Sequence, residues 1–147
     1  LDPKTKGPYV DQNMKCVDEY GVFSCGNSLH VNDLVDFVSE SGEMAGKSAS
    51  EEIEKSLNIQ ITSDENFLYN VPQFFNILSK NSKIDLYFRV KEELKNCTVF
   101  INKNENPIYT KKYKFLKPPE MEKITLDMKE HNLKGTDKIH IYLVKED

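Results

Sequence analysis

The hydrophobic positions change period part-way along the chain. Before Asn58, Leu34, Val35, Phe37, Val38, Met44, Ala45, Ala49 and Ile53 fall mostly at three- and four-residue intervals. That is the spacing of one helix face. Gly42 interrupts the pattern, so the helix is expected to begin or restart near Ser41. The small residues Ala45, Gly46 and Ala49 would let it approach a neighbour closely, with Glu51, Glu52, Glu54 and Lys55 on the wet side. Upstream, Gly21 to Gly26 is a short apolar run ended by glycine. It reads as a buried strand that stops abruptly at Asn27-Ser28.

From Asn58 onward the period is two. Asn58 to Thr62 alternates, and Lys83 to Val90 alternates more clearly, with Ile84, Leu86, Phe88 and Val90 on the core side. Cys97 to Ile101 and Pro107 to Phe115 flank the polar turn Asn102 to Asn106, as in a hairpin with a longer loop. Glu122 to Met128 and Lys138 to Val144 complete the set, the last one preceded by a turn at Gly135-Thr136-Asp137. Roughly seven short strands separated by turns predict a β-sandwich of immunoglobulin-like kind. Pro118-Pro119 belongs at a crossover or sheet edge, where no backbone donor is needed. Val71 to Phe75 is apolar without alternation and is expected to be a loop or short helical turn closing one end. The expected organisation is α+β in two parts: a strand-turn-helix unit over residues 1–57, then an all-β sandwich over residues 58–147.

Composition narrows the function classes. Charged residues make up 30% and the net charge is −4, which gives no electrostatic case for a nucleic-acid or anionic-membrane partner. No apolar run approaches the ~18 residues of a membrane span. The N-terminus, Leu1-Asp2-Pro3-Lys4, has neither an apolar signal region nor an initiating Met, so a processed or excised chain is expected. Three cysteines, Cys16, Cys25 and Cys97, without a CxxC pair argue against a disulfide framework. A reducing cytoplasm is the simplest compartment.

Candidate chemistry concentrates between Gly21 and Asp36. A strand that ends in Gly-Asn before a helix presents outward-pointing N–H groups, which suit phosphate or hydroxyl-rich ligands. Asn27 can then reach a sugar-like hydroxyl. The same dipeptide also occurs as an ordinary tight turn. His30 with Asp33 and Asp36 could make a metal site or an acid–base pair, but with three histidines in the chain and no HxH or HxxxH spacing no metal site is expected, and the plain alternative is a loop histidine satisfied by a carbonyl. Cys25 is a reactive thiol or a buried inert one, and Cys16, in a polar segment, is expected to be exposed. Tyr109 to Phe115 interleaves aromatics with lysines. An edge strand protected by lysines accounts for this better than single-stranded nucleic acid. Asn96-Cys97-Thr98 is a glycosylation sequon that a cytoplasmic chain would not use.

The order of these residues carries a resemblance. Thr5-Lys6-Gly7-Pro8-Tyr9-Val10-Asp11 comes first, then Glu19-Tyr20-Gly21-Val22-Phe23-Ser24-Cys25-Gly26-Asn27, then Ser28 to Ser39, then Gly42-Glu43-Met44-Ala45-Gly46. This resembles the last FAD-contacting segment of two-dinucleotide-binding-domain flavoproteins. It is most similar to a bacterial branch of FAD-dependent, pyridine-nucleotide-disulfide-type oxidoreductases with a CGN.LHVHDLVD motif. Some of that branch resemble anaerobic glycerol-3-phosphate dehydrogenase accessory proteins. Leu86 to Val90 and Pro118 to Leu126 look like the same branch's C-terminal extension.

The resemblance implies that the chain is the C-terminal part of such an enzyme, carrying a remnant of its FAD-binding domain. It implies FAD in the parent and none bound by this chain alone. It also implies flavin-site positions at Gly26, Asn27, Ser28, Leu29 and His30, with Asn27 on the ribityl chain. Two residues depart from the pattern. The wider superfamily's Asp is Asn27, which can still accept and also donate, and the branch's second His is Asn32. A GxGxxG turn for the pyrophosphate is missing, as are a second nucleotide-binding unit and a redox CxxC. The implied partners are the rest of the parent's FAD/NAD(P)-binding domains. A second copy paired through the exposed N-terminal segment is also expected. The alternative is an interaction module whose sandwich docks a partner redox subunit.

Overall fold

The computed structural model describes residues 1–51 and 55–146. Among the described residues the protein is mostly β with one α-helix, a mixed α+β chain built on two sheets. The strands are β1 (Asn58–Ser63), β2 (Phe67–Val71), β3 (Phe74–Asn76), β4 (Lys83–Val90), β5 (Leu94–Lys103), β6 (Asn106–Leu116), β7 (Glu122–Asp127) and β8 (Ile139–Lys145). One sheet has the order β3-β1-β8-β5-β6 and the other β2-β4-β7. Every pairing is antiparallel except β1 with β8, which is parallel.

The two sheets face each other across one apolar core. Ile84, Leu86, Phe88 and Val90 of β4 enter it, as their alternation requires, and meet Val99, Ile101 and Ile141 from the larger sheet. The turn between β5 and β6 is tighter than expected, with β5 running to Lys103 and β6 starting at Asn106. Asn104 takes a left-handed φ of 55° there, which asparagine tolerates. The double proline lies in the crossover from β6 to β7, between the sheets. β6 is the outer strand of the larger sheet, and Lys111, Lys112 and Lys114 lie along it.

Three expectations need correction. Val71 to Phe75 is not a closing loop, because Val71 ends β2 and Phe74 opens β3, whose Phe75 pairs with Ile59. Its alternation is hidden because Val71 and Phe75 are buried on different neighbours. Gly21 to Gly26 is not a buried strand. Only an isolated bridge from Phe23 to Lys15 forms, and Val22 is exposed. The helix α1 (Val35–Ser50) runs unbroken through Gly42. A Cβ at Gly42 or Gly46 would meet nothing within 4 Å, so neither glycine serves a close approach. Ile53, Glu52 and Glu54 lie outside the described residues.

The first 50 residues form a third layer on the far side of the small sheet. Val10, Met14, Cys16, Leu29 and Ala45 pack against Tyr69 and Val71 of β2. The segment before Cys16 is bonded along β3. Gln12 exchanges hydrogen bonds with the backbone of Asn76, and Gln73 accepts from the Val10 N–H while donating to Asp2.

Candidate functional site

The turn at Gly26–Ser28 is a single 3₁₀ turn ahead of α1. Gly26 has φ +59°, the left-handed region where a side chain is strained. Its N–H donates to Ser41 Oγ at 2.9 Å, and that hydroxyl donates in turn to the Val38 carbonyl. The turn is therefore bolted to the second turn of the helix. From the other side, Gly7 presses on it. A Cβ there would sit 2.2 Å from the Leu29 carbonyl oxygen, so only glycine fits.

The five positions expected at the site separate into two groups. Asn27 and Ser28 are exposed. Asn27 Oδ1 accepts from both the backbone N–H and the side-chain amide of Asn32, at 3.1 and 3.3 Å. Ser28 Oγ donates to the Cys25 carbonyl at 2.6 Å. Gly26, Leu29 and His30 are buried. The N–H groups of Leu29 and His30 both donate to the Gly26 carbonyl, so these two amides close the turn. Asn32 Oδ1 is buried with no hydrogen-bond partner among the described residues.

His30 is only 2% exposed and stands between Tyr69 and Tyr87, with ring centroids 5.5 and 5.6 Å away. Its Nδ1 shares a 3.2 Å hydrogen bond with the Tyr69 hydroxyl. Burial, helped by the Arg89 charge, lowers its pKa to about 4, so the ring is neutral near pH 7. Asp33 and Asp36 do not join it as ligands, and among the described residues no three His, Cys, Asp or Glu side chains cluster for a metal.

Arg89 was not singled out by the sequence. It projects from the side of β4 opposite Phe88 and is buried. Nε donates to Tyr69 Oη at 2.9 Å. One terminal nitrogen donates to the Pro118 and Pro119 carbonyls, and the other donates to the Val31 carbonyl at 2.9 Å. Asp33 completes the set at 3.6 Å, and its other oxygen accepts from the Met121 N–H. Its signal was available: a charged residue inside a strand whose neighbours are all apolar must have partners.

Beside the turn is an uncovered apolar surface. Val35 is 80% and Val31 71% exposed, with Leu34 and Val38 also in contact with solvent. Val38 lies against Gly26, since a Cβ built on that glycine would be 3.4 Å from it.

No family model, no curated protein and no solved structure matches this chain. Its chemistry must therefore be read from the site itself. A cleft of about 660 Å³ bounded by Lys47, Lys80, Lys83 and Asp85 contains none of the five expected residues. The three cysteines are free. Cys16, expected to be exposed, is buried, and its pKa is raised by burial and then by Asp11. Cys25 is half-buried. The Cys16 thiol is not set up as a nucleophile, because burial and the neighbouring carboxylates all raise its pKa. No helix among the described residues is long and apolar enough to cross a membrane.

Proposed function

We propose that this chain is the C-terminal part of a cytoplasmic FAD-dependent oxidoreductase, and that it supplies the last flavin-facing loop of that enzyme. The observation that carries this reading is the uncovered apolar surface beside Asn27. Val31, Leu34, Val35 and Val38 flank a turn whose polar tip is exposed. Apolar clusters of this kind mark surfaces built for a partner. The order of Gly7, Gly26, Asn27, His30 and Gly42 along the chain supports the same family.

The residues present fit a hydroxyl-rich ligand at one point only. Asn27 keeps its amide nitrogen for a hydroxyl while its oxygen is held by Asn32. Ser28 is exposed beside it. Leu29 and His30 act from behind the turn, through packing. Hydride or electron transfer would belong to the flavin, with this chain orienting one side of it. The β-rich part is read as an immunoglobulin-like sandwich, supported by two sheets closed on a single apolar core.

The codons upstream of Leu1 test the assignment. An open frame running into a GxGxxG unit is expected, and a stop codon directly upstream would overturn it. The isolated chain should also show no stoichiometric flavin spectrum after incubation with FAD.

A further inference from the structure

We propose that Arg89 is the positioning residue of this site: from the middle strand of the small sheet it sets the shape of the loop that carries Asn27. The inference rests on reading that loop as flavin-facing, but its structural half can be tested without flavin. Arg89 grips the loop at two residues, Val31 through its carbonyl and Asp33 through its carboxylate. Asn32 lies between them, and it is Asn32 that holds Asn27 Oδ1 through both its backbone and side-chain N–H groups. The orientation of the Asn27 amide is thus passed along one short chain of contacts from β4. The same guanidinium fixes Tyr69, which meets His30 at the base of the loop.

The fork geometry is essential. Arg89 serves Tyr69, Val31, Asp33 and the two proline carbonyls in one plane-and-fork arrangement. A lysine offers a single point charge on a flexible stem and can satisfy only part of that set. The Pro118-Pro119 crossover is tied in as well, because Met121 donates to Asp33. The β-rich part therefore determines the form of a loop that belongs, in sequence, to the N-terminal layer.

The first experiment is site-resolved amide hydrogen exchange on the full chain, comparing wild type with Arg89→Met, Arg89→Lys and Lys123→Met. Exchange at the Asn32 and Met121 amides should rise about tenfold or more in Arg89→Met, while β5 and β8 stay protected. Arg89→Lys should fall between, and Lys123→Met, which cuts the contacts to Glu40 and Phe37 of the helix, should leave both amides unchanged. A uniform rise in all strands, or an unchanged Asn32, would overturn the proposal. If Arg89→Met does not fold, Arg89→Lys and Asp33→Asn carry the same comparison. The second experiment measures FAD dissociation from the full flavoprotein. Arg89→Lys should weaken FAD by about tenfold and shift the flavin absorption band, as changes in supporting residues do at other sites. Unchanged FAD affinity with a loosened loop defeats the positioning role. Unchanged affinity in Asn27→Leu defeats the flavin reading instead.

Discussion

β4 has two faces that hold the molecule together in opposite ways. Toward the larger sheet it presents Ile84, Leu86, Phe88 and Val90, which make a dry core held by packing alone; Tyr113 packs edge-on to Phe88 there, its buried hydroxyl without a hydrogen-bond partner among the described residues. Toward the N-terminal layer it presents Tyr87 and Arg89, each tied to named partners: Tyr87 donates to Glu40, and Arg89 donates to three backbone carbonyls and a tyrosine. Apolar packing tolerates repacking at modest cost, whereas a half-satisfied buried polar network is worse than none. The first face should therefore govern whether the chain folds, and the second should govern how the candidate loop is shaped.

The largest expected effect tests the dry face. Phe88→Ala should destabilise the whole protein by about 3–5 kcal/mol, read as a drop in urea midpoint that is the same by every probe. A change confined to the N-terminal layer would reverse the assignment of the two faces.

Acid tests the polar face. The folded His30 has its pKa lowered to about 4, from the ordinary value of 6.5. Between those values the unfolded chain binds more protons, so stability is fully present above pH 6.5 and is lost as the pH falls through 4. The slope approaches about 1.4 kcal/mol per pH unit, and the total is roughly 3 kcal/mol. Urea midpoints taken from pH 7.5 to 4 should show that slope, and His30→Gln should flatten it.

Gly7→Ala comes next. The added methyl meets the Leu29 carbonyl, and relief by backbone movement should cost about 2 kcal/mol. Hydrogen exchange should rise in residues 5–8 and 26–30 before any strand loosens. Tyr69→Phe removes the acceptor of Arg89 Nε at a cost of about 1–2 kcal/mol, measurable by thermal unfolding. Val35→Ser should be smallest, within about 0.5 kcal/mol, because the side chain already stands in water. Its visible consequence should be reduced self-association in sedimentation.

The dry face was legible in the sequence. Alternation at 84, 86, 88 and 90 depends on one strand meeting one core, and it named the inward residues correctly. The polar face was only half legible. Gly26 and His30 were singled out in the sequence, but Gly7 was not, and Arg89, though conspicuous in an apolar strand, could not be matched to partners that come from segments distant in sequence. The helix continued past Gly42 because Phe37, Glu40 and Met44 find contacts on the sheet side while Ser41 holds the Gly26 turn, and that packing outweighs a glycine penalty of about 1 kcal/mol. The burial of Cys16 was missed because its polar neighbours hide its pairing with Val10.

The place of β8 has a consequence for how the chain comes to be folded at all. It lies in the middle of the five-stranded sheet, parallel to β1 and antiparallel to β5. As this polypeptide leaves the ribosome, β1 and β5 would therefore emerge with an empty lane between them. The sheet can close only after Ile139–Lys145 has been released. Pairings between segments so far apart are slow, because the intervening loop must be ordered before contacts compensate for it. The nascent sheet should stay open until β8 arrives, and any truncation that removes β8 should split the larger sheet into the separate β1–β3 and β5–β6 pairs.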